Sequence, residues 1–372
     1  MEQTPTGRLA ALAVETPAEA IPPDACDAAC DLVLDAVGVA HAGWQAPGVG
    51  AALGLARQSG GRGEATVLAH GDCLPMPQAA FANGVLIHAQ NAGNRQALYD
   101  KTLTKRLQPG FAARDALWAA GLARRGISGP PHAIQGDAGL MRVHARIEEI
   151  PDLRRLDAAP DRWAVQDVWI KRFPSCGACH QVTQVGLNLA GKRNWRLEDI
   201  QEAWIYLGEG GNRMVGAPFE RGRNPQADAQ FSAAYGASVA LLRGRAGPRE
   251  YAPERITEDV EVARLAAGMR VVEHLENPPA MRGSDDGMPA FADTPHLLHV
   301  RTRDGREHER TATLREVVLP VGTARREAIS GKFHDCTACS GLYSRRQSAA
   351  LADRIYTLPG ANTIDPLFPC PE

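Results

Sequence analysis

The sequence predicts a multidomain protein of the α and α+β classes, helical toward both chain ends and mixed in the middle. Three observations predict it. Apolar residues recur at helical spacing over residues 22–42 and 110–125. Strand-like runs begin only after about Trp163, and two of them flank Asp304-Gly305, a dipeptide suited to a tight hairpin. From Thr323 onward the pattern is helical again, through Ser348 to Tyr356.

Taken in order, the first helix spans 22–42. Asp24 caps it, and Cys26, Ala29, Cys30, Val33 and Val37 recur at helical spacing. Gly60-Gly-Arg-Gly63 is a turn, and residues 65–68 are extended. Pro77 suits the first turn of a helix that passes Phe81 toward His88. A helix over 110–125 ends at Gly126, and Pro130 prevents its continuation. Residues 199–207 and 269–275 read as strands, as do 296–302 and 306–312 on either side of Asp304-Gly305. A helix over 230–242 lies between strands and ends at Gly244. The connection 277–295 is rich in Pro, Gly and Asp.

Composition bounds the function. The chain has 372 residues, enough for two domains, and is 44% hydrophobic, which excludes disorder. Aromatic residues are only 5%, so Ala and Leu must fill closely packed helices. A net charge of −2 argues against a nucleic-acid partner, which needs a concentrated basic stripe. No run of eighteen apolar residues occurs, so no membrane span is expected. The opening Met1-Glu-Gln-Thr-Pro-Thr-Gly lacks a secretory pattern, and the expected location is cytoplasmic. In that compartment the eight cysteines are expected to be reduced.

Several motifs carry competing readings. Cys176-Gly-Ala-Cys-His180 matches a c-type haem attachment string, but its context is wrong for export. Cys176 and Cys179 with Cys336 and Cys339 form two CxxC pairs, the raw material of a four-thiolate zinc site, but the pairs are far apart. Gly208-Glu-Gly-Gly211 lacks both the Lys-Ser/Thr ending of a phosphate loop and a following helix start. His180 is the candidate acid or base, because imidazole titrates near neutrality. Lys105, Arg106, Lys171 and Arg172 sit beside Pro- or Gly-bent turns, where cations hold a carboxylate; the plainer reading is solvated surface charge. Tyr235 lies among small residues, which suits a phenol reaching a cleft and equally suits core packing.

In order along the chain, several segments resemble the MmgE/PrpD family. They are LVLDAVGVAHAG from Leu32, FANGVLIHA from Phe81, and TKRLQPG from Thr104 with Ala112-Ala113. Gly126-Ile-Ser-Gly-Pro130, KRFPSC…H from Lys171 to His180, AQFSAAY ending at Tyr235, and KFHDC ending at Cys336 continue the likeness. The resemblance implies an all-helical domain built from both chain ends plus an α+β lid. On that basis residues 1–165 form the helical domain, 166–322 the lid, and 323–372 helices returning to the first domain. It also implies a homodimer, no metal and no cofactor. The implied chemistry is that of a lyase of the 2-methylcitrate dehydratase type, with proton transfer next to a carboxylate of a small di- or tricarboxylic acid. An epimerase of the iminodisuccinate type is the related alternative. By the same resemblance His180, Lys105 and Tyr235 are catalytic, while Lys171 and Asn91 bind substrate.

The sequence also departs from the family pattern. Asn91 stands where an active-site Asp is expected, and the chain is shortened near residues 95–105. A second catalytic histidine and part of the helical core are absent from that stretch. This opens the alternative of a catalytically degenerate binding or assembly protein. Helices that have lost their packing partners expose apolar faces, so self-association is expected.

Overall fold

The computed structural model describes residues 4–88, 102–143, 163–192, 194–273, 290–318 and 323–361. Asn91 lies outside them, as does most of the 277–295 connection. Among the described residues the helices are α1 (Pro5–Glu15), α2 (Pro23–Ala42), α3 (Val49–Gln58), α4 (Met76–His88) and α5 (Thr104–Ala123). They continue as α6 (Leu140–Val143), α7 (His180–Ala190), α8 (Glu209–Val215), α9 (Pro225–Gln230) and α10 (Ala233–Arg243). The last are α11 (Pro253–Glu258), α12 (Val260–Gly268), α13 (Leu314–Val317), α14 (Thr323–Ser340) and α15 (Arg345–Tyr356). The strands are β1 (Ala65–Thr66), β2 (Cys73–Leu74), β3 (Ile200–Leu207), β4 (Arg270–Glu273), β5 (His296–Thr302) and β6 (Glu307–Ala312). The architecture is thus multidomain, α and α+β, with two small sheets.

The chain divides into two compact units. The first comprises Met1–Asp31 and Asp115–Val168. Its α1 starts at a Thr4 cap, whose hydroxyl oxygen accepts from the Gly7 amide at 3.1 Å. This unit leaves large apolar side chains in water: Trp118 is 55% and Leu122 44% exposed, and Leu140 and Val143 are exposed as well.

The second unit comprises Leu32–Arg114 and Trp169–Glu372. Its main sheet has the order β4-β3-β5-β6, with β3 and β4 parallel and the other pairs antiparallel. Alternation sends Ala203, Ile205 and Leu207 of β3 and Leu298 and Val300 of β5 into the core. Asp304-Gly305 turns the β5–β6 hairpin, with Gly305 at φ +83°. Helices α7 and α10 cover the sheet, and a Cβ on Gly186 of α7 would lie 2.7 Å from the Ala237 carbonyl oxygen. Every residue of α10 from Ala233 to Leu242 is buried. Helix α14 packs on α2, where Lys332 pairs with Asp35 at 2.5 Å and the Phe333 ring closes on Gly38.

Helices α4 and α5 cross backbone to backbone. A Cβ on Gly84 would lie 2.6 Å from the Gly110 Cα, and one on Gly110 would lie 2.5 Å from the Phe81 carbonyl oxygen. Even Gly84→Ala must push the helices apart. It is expected to cost roughly 1–3 kcal/mol, read as a lower urea midpoint; an unchanged midpoint would show that the crossing is loose.

Some elements differ from expectation. Helix α5 begins at Thr104, not 110, and runs through Pro109, whose missing N–H spares the Lys105 carbonyl its usual partner. Helix α10 begins at Ala233 because Ser232 caps it, its hydroxyl oxygen accepting from the Tyr235 amide at 3.1 Å. A helix, α8, does start directly after Gly208. Six of the described cysteines are free thiols, but Cys73 is disulfide-bonded, against the expectation of reduced cysteines throughout. Among the described residues no helix is long and apolar enough to cross a membrane.

Candidate functional site

A small hollow in the second unit gathers three cations that far-separated segments supply. It is lined by His88 at the end of α4, by Lys105 and Arg106 in the first turn of α5, by Lys171, Ser175 and Cys176, and by Gln230 and Phe231 at the end of α9. The Gly84–Gly110 crossing sets the start of α5 beside the end of α4. Ile170 and Phe173 are buried and anchor the segment that carries Lys171. The Cys176 amide donates to the Gln230 carbonyl at 2.8 Å, which ties that segment to α9.

Lys105 and Arg106 are only 4% and 6% exposed, so solvated surface charge does not describe them. The Lys105 ammonium stands 3.9 Å from the centre of the Phe231 ring. Burial pushes it down to about 8, with the Cys176 thiol opposing and Lys171 adding to the shift. The Arg106 guanidinium donates to the Pro47 carbonyl (3.0 Å) and to the Gln226 and Gln230 side-chain oxygens (3.1 Å each). Desolvation pushes it down to about 10, so it stays charged at neutral pH. Burial also lowers Lys171. No Asp or Glu lines the hollow among the described residues.

Two imidazoles adjoin these cations. His88 lines the hollow, and burial together with Lys105, Lys171 and Arg106 pushes it down to about 3. His180 opens α7 and meets the Phe173 ring edge-on at 5.2 Å. Burial, then Lys171 and Lys332, push it down to about 3 as well. Its Nε2 has no hydrogen-bond partner among the described residues. Both rings are therefore neutral at pH 7, the form that a general base needs.

The structure thus brings Lys105 and Lys171 together and sets His180 beside Lys171. Tyr235 stands apart. It is 1% exposed, packs on Phe219 and Tyr251, and donates its hydroxyl proton to the Glu250 carbonyl at 2.7 Å. It does not line the hollow, and its phenol is pushed up by burial. Sequence reasoning assigns no role to His88 and considers Cys176 only as a haem or zinc ligand, although both fall in segments that it singles out. The two CxxC pairs do not meet: among the described residues no three His, Cys, Asp or Glu side chains group as metal ligands would.

The chain matches the MmgE/PrpD N-terminal domain over residues 7–90 and 89–151, and the MmgE/PrpD C-terminal domain over residues 173–357. These matches cover most of a chain whose fold is of the α and α+β multidomain class. The chain belongs to the MmgE/PrpD family. Membership supports a lyase-family, dehydratase-like function and leaves the substrate open. No curated protein matches the chain.

Proposed function

We propose that the chain is a lyase of the dehydratase type that moves a proton at the carbon next to a carboxylate of a small di- or tricarboxylic acid. One observation carries this reading: cations that have no carboxylate partner among the described residues converge on one hollow beside two neutral imidazoles. Lys105 and Lys171 hold substrate carboxylate and stabilise the negative charge that grows on its oxygens as the C–H bond breaks. His180 takes the proton as a neutral base, and the imidazolium so formed returns it to the leaving hydroxyl, which departs as water as the C–O bond breaks and the double bond forms. The scheme draws on side chains alone. Citrate-like and aconitate-like acids are expected to exchange a carbon-bound proton for deuterium in heavy water with the wild type, and not with His180→Ala. If no acid of such a panel exchanges, the enzyme reading fails.

Binding without turnover is the second reading. The hollow is only ≈ 20 Å³, room for about one water molecule, so a tricarboxylate must open it. Asn91 in place of an acid favours the same reading, as does the shortened stretch that follows. The N-terminal family match falls into two stretches, 7–90 and 89–151, which supports a shortening in this part of the chain. Stabilisation by an acid that never exchanges protons would identify this case.

We also propose a cytoplasmic homodimer. The apolar side chains of α5 and α6 support it, since Trp118, Leu122, Leu140 and Val143 stand in water on a single chain. Sedimentation at rising concentration is expected to show self-association that Trp118→Glu weakens. A monomer at every concentration would count against the dimer.

A further inference from the structure

A second concavity in the same unit is far larger, ≈ 780 Å³, and lies in the range of about 300–1,000 Å³ that ligand pockets occupy. It shares only Lys171 with the small hollow. Val39 and Ala42 of α2 and Ala328, Gly331 and Ala338 of α14 give it a small-residue, largely apolar wall. Arg172 and Arg249 line it from two other segments.

The charges in this cleft are unevenly matched. Arg245 pairs with Glu250 at 2.7 Å, and Lys332 pairs with Asp35 at 2.5 Å. Lys171, Arg172 and Arg249 have no carboxylate partner within ion-pair distance among the described residues. The Arg172 guanidinium sits 5.7 Å from the centre of the Phe173 ring, which orients its planar fork. Arg249 interacts with the Cys339 thiol, a neutral neighbour. Asp335 is the one lining carboxylate that no ion pair engages among the described residues.

We propose that this cleft binds an organic polyanion of about nucleotide size, with separated anionic groups on Lys171, Arg172 and Arg249 and an apolar body against α2 and α14. A small acid would fill only a fraction of the space, which takes its cations from two segments, Lys171 with Arg172 and Arg249. Guanidinium groups favour phosphate or carboxylate ends, which they engage with two parallel hydrogen bonds. The cleft meets the site of the proposed reaction at Lys171 alone, and its test, read at Arg172 and Arg249, does not need turnover.

ATP is the probe, followed by titration calorimetry at low salt on the full chain. Saturable binding is expected, weakened about tenfold or more, a factor worth 1.4 kcal/mol, in both Arg172→Gln and Arg249→Gln. Both side chains are exposed, so neither change threatens the fold. Arg270→Gln, an exposed arginine on β4, is expected to bind as the wild type does. Absence of saturable binding overturns the proposal, as does equal binding by the wild type and both variants. An equal loss in Arg270→Gln also overturns it, since that marks unspecific attraction to charge.

Discussion

Replacing Lys105 by alanine is expected to abolish stabilisation by polycarboxylates and to lower any turnover by about 10²–10³-fold. The reason is burial. Lys105 is an ammonium held almost out of water against the Phe231 ring, with no carboxylate to satisfy it among the described residues. Such a charge is costly until an anion arrives, and the anion gains what the empty site lacks. The same burial sets a pH limit. Lys105 is pushed down to about 8, so it loses its proton as the pH rises through that value. Affinity for carboxylates is therefore expected to fall above pH 8, by up to tenfold per pH unit for a single proton. Lys105→Arg keeps its charge there and extends binding to higher pH, though with altered geometry. Dissociation constants that stay flat from pH 7 to 9.5 in the wild type would remove Lys105 from the role.

The second large effect concerns stability in acid. His88 and His180 are each pushed down to about 3 in the folded chain, against 6.5 for the ordinary imidazole. Between those values the unfolded chain binds protons that the folded chain refuses. Stability contributed by the neutral rings is present above pH 6.5 and is lost as the pH falls toward 3. A tenfold weaker hold on a proton corresponds to about 1.4 kcal/mol, so each ring is expected to account for a few kcal/mol. Urea unfolding followed between pH 4 and 7 checks this. The loss of stability toward acid should be steeper in the wild type than in His88→Gln or His180→Gln, because carboxylates elsewhere contribute equally to all three. Parallel pH curves would mean that both rings reach water in the folded state.

Much of the fold is legible because local patterning and tertiary burial agree. Helix α2 and the β5–β6 hairpin follow from apolar spacing and from Asp304-Gly305. The parallel β3–β4 pair joins segments about sixty residues apart, and no local signal announces such a pairing. Helix α10 departs from its pattern in where it starts and in how it uses Tyr235. Its small residues read both as room for a phenol to reach a cleft and as core packing. The structure shows close packing on every side, with the Tyr235 hydroxyl engaged by the Glu250 carbonyl. The site is half legible. Lys105, Lys171 and His180 stand out by residue type and by the bent turns beside them, and the family likeness adds their roles; the burial of the lysines is not legible, since it breaks the ordinary rule that charge stays wet. His88 escapes notice because a histidine closing an apolar helix gives no sign of the cations it faces.

Helix α10 has one more implication. Most helices in globular proteins forgive change along the stripe that faces water, so their tolerance to substitution rises and falls once per turn. From Ala233 to Leu242 no such stripe exists. Lineages of this chain can drift there only by trading one snug shape for another, and a survey of all replacements should find intolerance that is continuous along the segment, not periodic.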